Sequence, residues 1–442
     1  EPTGVSRPTL HIIGAGLAGL AAAVDLAPTG ARIILHEAAK AAGGRCRSYF
    51  DQRLRMEIDN GNHLMLSCNA NALAYVELIG AEDRLTCFDD ARFHFVDLAS
   101  GQRATLSPFA APLPLWRMSR ESAARRAGLA DYAELMKLML SRGDMPLQEV
   151  MRCAGPLYDA LLRPILLAAL NTDPADASSA LVRNILRATL MKGESACRAI
   201  MVKGGLSRAL VEPALRFLQK NDVELRFAHS LKSLVVEQSR IKALQFDEEE
   251  IKLQPDDLII LATPAPVTAL LAPWIEAPTS FNAIVNAHFA VTPPPALSPI
   301  TAVTSATTEW LFAYPDRLSV TISAANHLLA RDAQDVAHTI WREVAQVTGL
   351  SAALPPWRII KEKRATFAAT PEQNKRRPAT RTICTNLLLA GDWTATGLPA
   401  TIEGAIKSGF AAAREARVLM AGRDLTPSSS PGRKPLAHAD HG

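Results

Sequence analysis

What this chain has little of narrows the field before any motif is read. Aromatic residues are 5% of its 442 residues and charged residues 21%, against 48% hydrophobic. That balance excludes a disordered, solvating polypeptide. A formal net charge of +4 is too small to mark a nucleic-acid surface. The six cysteines (Cys46, Cys68, Cys87, Cys153, Cys197 and Cys384) are scattered, with no CxxC pair and no Cys/His cluster. Neither a zinc site nor a disulfide framework is expected, and a reducing, cytoplasmic compartment is. No apolar run reaches the roughly 20 residues of a membrane span. The first residues, Glu1 to Gly4, carry neither a basic nor an apolar leader region, so no signal peptide is expected. The length favours two domains over one core.

What is present begins at Leu10-His11-Ile12-Ile13, a short apolar run expected as a buried strand. Gly14-Ala15-Gly16-Leu17-Ala18-Gly19 follows as GxGxxG, and Leu17, Leu20, Ala21 and Val24 then recur at helical spacing. A second strand, Ile33 to His36, ends at Glu37, about 20 residues beyond the middle glycine, where a ribose-binding acid is expected. Glycines let the backbone approach a pyrophosphate closely, and the helix N-terminus meets its charge. Strand, helix, second strand and acid in register point to a dinucleotide.

A second glycine doublet separates a flavin dinucleotide from a nicotinamide one. Ala42-Gly43-Gly44-Arg45-Cys46-Arg47 follows the acid at once, and Asn60-Gly61-Asn62-His63 comes soon after. Gly44 and Arg45 can reach the phosphate and ribityl region of FAD, although Arg45 and Arg47 can also be read as ordinary solvated charge. Residues 387–408, LLLAGDWTATGLPATIEGAIKS, supply the other end. An apolar strand ends at Gly391-Asp392, a small-residue turn passes through Pro399 and Ala400, and a helix is expected to begin near Thr401. Asp392 is placed to bind a ribitol hydroxyl. Thr396 to Thr401 would lie along the isoalloxazine, with the helix N-terminus favouring the negative charge that reduction brings.

These segments resemble a known superfamily. GAGLAGL (14–20), Glu37, AGGR (42–45), DNGNH (59–63) and AGDWTATGLPATIEGAIKSG (390–409) are similar to the flavin amine oxidases and phytoene desaturases. Within it, IDNGNHLML (58–66), LLAALNTDP (166–174) and PPWRIIKEKRATFAATP (355–371) resemble the branch called hydroxysqualene dehydroxylases. The sequence Leu64 to Asn69 departs from that pattern where a glycine and an aromatic are expected. The resemblance implies an α/β fold: a Rossmann-like FAD-binding domain of the amine-oxidase type, with a discontinuous mixed-sheet and helical substrate domain. It implies that residues 1–75, 196–265 and 381–425 form the FAD domain, and 76–195 and 266–380 the substrate domain. A Pro/Ser-rich tail, 426–442, is expected to be disordered. By the same resemblance, backbone near Leu231 serves the adenine, and the turn at Thr263 runs under the dinucleotide.

The implied reaction is reduction of hydroxysqualene to squalene for hopanoid synthesis, with FAD as cofactor and an electron donor that the sequence does not identify. Hydroxide is a poor leaving group, so a proton donor or a hydrogen-bond donor is needed. His63 is the nearest candidate, against the simpler reading of a histidine bonded only to backbone. Glu403 is a second, poorer because a helix N-terminus favours its ionised form. Arg364 is placed to hold the flavin or the leaving oxygen, unless it pairs with Glu362. Rival readings are a carotenoid-type desaturase, an amine oxidase, and a non-enzymatic flavin or prenyl-lipid binding protein.

The intervening segments are apolar. Pro112-Leu113-Pro114-Leu115-Trp116, then Arg120, Arg125, Arg126, Lys137 and Arg142 around Leu135, Met136, Leu138, Met139 and Leu140, suggest either a lid resting peripherally on the inner face of a membrane or an amphipathic helix packed on the core. Residues 155–171 are leucine-rich, as an apolar interior requires. Strand-like pieces at 287–291, 309–314 and 319–322 suit a mixed sheet with one face lining a pocket.

Overall fold

A computed structural model describes residues 8–108, 116–118 and 127–421 of the chain. Residues 112–115 and 120–126 of the expected lid, and the tail from 426, lie outside the described residues. The fold is mixed α/β and is built on two principal sheets.

The first sheet has five strands, all parallel, in the order Glu224–Arg226, Arg32–His36, Thr9–Ile13, Leu258–Leu261, Leu387–Leu389. Parallel strands are covered on both faces, which is why LIIL and LLL are apolar without alternation. Leu10, Ile12, Ile33, Leu35, Leu258, Ile260 and Leu388 pack against the helices Leu17–Leu26 and Ile402–Ala421. Ile13, Ile259, Leu261, Leu387 and Leu389 face the other way, toward Ile241, Leu244 and Phe246 of a small antiparallel sheet. The two covering helices cross closely at Gly409, where a Cβ would lie 2.2 Å from the Ala18 carbonyl oxygen and 2.9 Å from the Ala21 Cβ.

On the second face three histidines form a chain that the apolar reading of these strands does not anticipate. His11 Nδ1 lies 3.1 Å from His36 Nε2, His36 Nδ1 lies 2.9 Å from His229 Nδ1, and His229 Nε2 lies 2.9 Å from Glu249. One proton in each gap satisfies the five ring nitrogens that the chain joins. Burial holds His11 at about 4 and His36 at about 2, so they remain neutral.

The second sheet has eight strands, in the order Trp357–Phe367, Phe281–Phe289, Arg317–Ile322, Trp310–Tyr314, Ile300–Thr304, Phe93–Asp97, Arg103–Pro108, Trp116–Met118. All pairings are antiparallel except Ile300–Thr304 with Phe93–Asp97, so the sheet is mixed, as expected. Val285, Ala287, Phe289, Leu311, Leu318 and Val320 pack on the helix Ala333–Thr348 through Ile340, Trp341 and Val344. Phe93, Phe95, Trp310 and Phe312 face the other side, toward leucines of Leu129–Leu140, Tyr158–Leu170 and Ser179–Ala188. The leucine-rich stretch ends at Asn171, in a left-handed conformation (φ 48°) that Asn tolerates. Its amide donates to Thr366 Oγ1 (2.9 Å) and accepts from the Ala324 N–H (2.6 Å), tying the helical layer to the sheet. Among the described residues, no helix is long and apolar enough to cross a membrane.

Candidate functional site

The site lies where the parallel strands end. The first strand delivers Gly14, whose φ of +105° and close approach to Ala262 (a Cβ would lie 2.7 Å from its carbonyl oxygen) both require glycine. Gly16 caps the helix Leu17–Leu26 in an extended conformation, with no side-chain cap and no acid in the first turn. The N–H groups of Leu17 and Ala18 therefore open toward the cleft without a side-chain acceptor. Nothing lies within 4 Å of where a Gly16 Cβ would stand, and a Gly44 Cβ would meet only Gly16 Cα, at 3.4 Å. The Gly43 N–H donates to the Ala15 carbonyl at 2.8 Å. The two glycine turns thus form one wall of bare backbone, a cradle that added side chains would fill and a diphosphate suits. Glu37 accepts from the Ala15 N–H (2.7 Å) through Oε2 and from the Ala39 N–H (2.8 Å) through Oε1. Each oxygen keeps a second lone-pair direction for a diol.

Arg45 joins the first and last segments of the chain. Its Nη2 lies 2.6 Å from Asp392 Oδ2, and its Nη1 donates to the Ala365 carbonyl. The Asp392 carboxylate holds the guanidinium still more firmly protonated, against the opposing effect of burial. Arg45 and Asp392, each expected at the cofactor, are joined to one another as an ion pair. Gly391 has φ +152°, and a Cβ there would lie 2.5 Å from Trp393 Nε1, whose N–H donates to the Thr263 carbonyl at 2.9 Å. The Asp392 turn is thereby fixed to the end of the Leu258–Leu261 strand. Thr401 accepts from the Gly404 N–H at 3.0 Å, which starts the last helix where expected, just after Pro399 and Ala400.

The Gly61-Asn62-His63 loop is clasped to the large sheet. Asn62 donates to Thr321 Oγ1 at 3.0 Å and accepts from the Tyr314 hydroxyl at 3.2 Å; a Cβ on Gly61 would stand 3.1 Å from Asn286 Nδ2. His63 Nδ1 is 2.9 Å from the Gly61 carbonyl, which can only accept, so Nδ1 carries a proton. His63 Nε2 faces Cys46 Sγ at 3.9 Å, too long to engage it firmly. Burial pulls the imidazolium down, but Cys46, the Gly61 carbonyl and Asp59 outweigh it and hold the ring at about 9. That balance favours the protonated ring.

Two expected residues fare differently. Glu403 accepts from the Asn71 N–H (3.1 Å), the Asn71 side-chain amide (2.7 Å) and the Ala72 N–H (2.8 Å). It caps the helix Ala70–Leu78, and both of its carboxylate oxygens are engaged there. Arg364 stands in a bulge of Trp357–Phe367: Asn282 pairs with Thr366 and Ile284 with Glu362, which leaves Lys363, Arg364 and Ala365 opposite Ala283 alone. Such bulges re-aim side chains. Arg364 is exposed and next to the carbonyl that anchors Arg45, and Glu362 turns instead to Asn60 (3.4 Å). Leu231 packs its side chain into the core, and the adjacent strand starts at Ser233.

Sequence reasoning missed Arg377, which donates to the carbonyls of Asp392 (3.1 Å) and Trp393 (3.4 Å) and to Thr396 Oγ1 (2.8 Å). It lies in Lys375-Arg376-Arg377-Pro378, a run that reads as solvated charge. It also missed Tyr314 and Thr321, whose role depends on strand register alone.

Bare N–H groups for a diphosphate, a carboxylate for a diol, and an Arg–Asp pair at the far end together fit FAD. A family model described as flavin containing amine oxidoreductase matches residues 17–417. A hydroxysqualene dehydroxylase of Rhodopseudomonas palustris is 46% identical over 416 residues, covering 94% of this chain and 99% of its own. One from Sinorhizobium fredii is 46% identical over 404 residues, covering 91% and 97%. A 15-cis-phytoene desaturase of Synechococcus elongatus is 24% identical, covering 96% and 98%. Among solved structures, cyclohexylamine oxidase from Brevibacterium oxydans superposes with a TM-score of 0.71 at 15% identity, covering 95% of this chain and all of the other; at that identity it speaks for the fold alone.

Proposed function

The chain belongs to the flavin containing amine oxidoreductase family and is an FAD-dependent oxidoreductase, and within that family we propose that it removes the hydroxyl of hydroxysqualene to give squalene. The observation that carries this reading is 46% identity, along nearly the whole of both chains, to proteins named hydroxysqualene dehydroxylase. Squalene made this way would supply hopanoid synthesis. Reduced FAD supplies the hydride that forms the new C–H bond. The protein's part is to hold the cofactor, exclude water and help the C–O bond break.

The allylic C–O bond leaves its electron pair on oxygen, and a proton converts the departing hydroxide to water. His63, whose protonated form is favoured and which is clasped beside the glycine turns, is the proposed proton donor. Arg364, re-aimed by its bulge, provides a forked donor for the leaving oxygen or the flavin. Phe95, Trp310 and Phe312 and the leucines of Tyr158–Leu170 offer an apolar wall for an isoprenoid chain. Such a substrate resides in lipid. Leu129 (92% exposed), Leu140 (75%) and Met136 (45%) project outward from one helix, and they support peripheral contact with a membrane.

The test is turnover under anaerobic conditions with reduced FAD. Hydroxysqualene should be converted to squalene, whereas phytoene with a quinone acceptor should be left unchanged. Desaturated carotenoid, with no squalene, would establish the desaturase reading instead.

A further inference from the structure

Arg377 is 6% exposed, yet among the described residues no carboxylate forms an ion pair with it. Its partners are neutral: the carbonyls of Asp392 and Trp393, Thr396 Oγ1, and Asn374 Oδ1 at 3.1 Å. The Phe367 ring lies beneath it, 4.7 Å from the guanidinium carbon. The nearby Asp392 carboxylate is already paired with Arg45. Among the described residues Arg377 therefore has no carboxylate in contact, and Asp392 acts on its charge only at longer range. Burying a charge without its counterion is costly; burial drags Arg377 down to about 10 even though Asp392 opposes it. A neutral amide could donate to several of the same oxygens at less cost. The hydrogen bonds alone do not account for the charge.

What the charge faces does. All three of its contacts in residues 392–396 lie in the turn that seats the cofactor, and the N-terminus of Ile402–Ala421, itself partly positive, begins just beyond. We infer that Arg377 is a redox-tuning residue, whose buried and unpaired guanidinium behind the Asp392–Thr396 turn favours the reduced, anionic form of bound FAD over the oxidised form. Oxidised FAD that takes up two electrons and one proton gains a negative charge, and a fixed cation behind its seat stabilises that state selectively. Arg377 acts through the turn and is a positioning residue, not a catalytic one. The inference rests on FAD alone and not on the identity of the substrate, so the two can fail separately.

The test compares FAD-loaded Arg377→Gln and Arg377→Lys with the wild type, using dye-equilibrated midpoint potentials with dithionite as reductant, and titration with sulfite, an anion that adds only to electron-poor flavin. Arg377→Gln should bind sulfite about tenfold more weakly. A tenfold loss of preference for reduced over oxidised FAD lowers a two-electron midpoint by about 30 mV. Arg377→Lys, which keeps the charge and changes the hydrogen bonds, should stay within about threefold of wild type. An unchanged potential in Arg377→Gln, or equal shifts in both variants, would overturn the inference. Should Arg377→Gln not retain FAD, Asp392→Asn gives the converse reading: loss of that carboxylate should raise the potential and tighten sulfite binding, and a shift the other way would overturn it.

Discussion

His63 has one nitrogen committed and one free to act. Nδ1 donates to Gly61, so any proton handed to a substrate belongs to Nε2 and is present only in the imidazolium. With the ring held at about 9, turnover should stay level through neutral pH and fall as pH rises through about 9, where the acid form is lost. His63→Ala should retain FAD and lose about a hundredfold or more in kcat, measured on FAD-replete enzyme; undiminished turnover would remove His63 from the mechanism. At this scale the sequence was legible only where a residue's role is local. Gly14 and Gly16 were readable because a strand-to-helix turn demands them. Glu403 was not: its position at one helix start is visible, but the Asn71 and Ala72 N–H groups it caps belong to a helix some 330 residues away. Arg377 was hidden for the same reason. Its neighbour Arg376 is the surface charge that the run suggests, pairing loosely with Glu276, and nothing in the spacing tells the two apart.

Between elements, the closest constraint is the crossing of Leu17–Leu26 with Ile402–Ala421. The first helix carries the diphosphate-facing N–H groups and the last one opens beside the flavin seat, so their approach sets the spacing of the two ends of the site. Gly409→Ala puts a methyl group 2.2 Å from the Ala18 carbonyl oxygen, and the helices must part. A cost of about 1–3 kcal/mol is expected from such overpacking, seen as a lower melting temperature together with reduced FAD content. Wild-type behaviour in both would show that the helices adjust freely. Strands and helices with strong apolar periodicity were legible along the chain: Thr9–Ile13, Leu17–Leu26 and Leu387–Leu389 stand close to where their patterns put them. What pattern alone could not give is pairing. His11 and His36 sit in strands that read as plain apolar runs and meet His229 from a loop, and the bulge that frees Arg364 exists only because Phe281–Phe289 pairs with Trp357–Phe367 two residues out of step.

For the molecule as a whole, the two sheets divide the work. The parallel sheet ends in glycine turns that bare its backbone to an anionic dinucleotide, and the mixed sheet offers an aromatic and aliphatic wall on the face toward the leucine-rich helices. Asn171 ties the leucine-rich helices to the mixed sheet, and the Asn62–Thr321 contact ties the Asn60–His63 loop to it. The sequence motifs specify the cofactor, and the long relatives narrow the substrate; the direction of hydrogen transfer is what the account asserts beyond both. One measurement tests it directly. FAD-loaded enzyme is reduced with dithionite in deuterium oxide without oxygen and allowed a single turnover with hydroxysqualene, and the product is weighed by mass spectrometry. Squalene carrying one deuterium, delivered as hydride to the carbon that lost its hydroxyl, is the expected product. Unlabelled squalene, or a product two hydrogens poorer than the substrate, would contradict it.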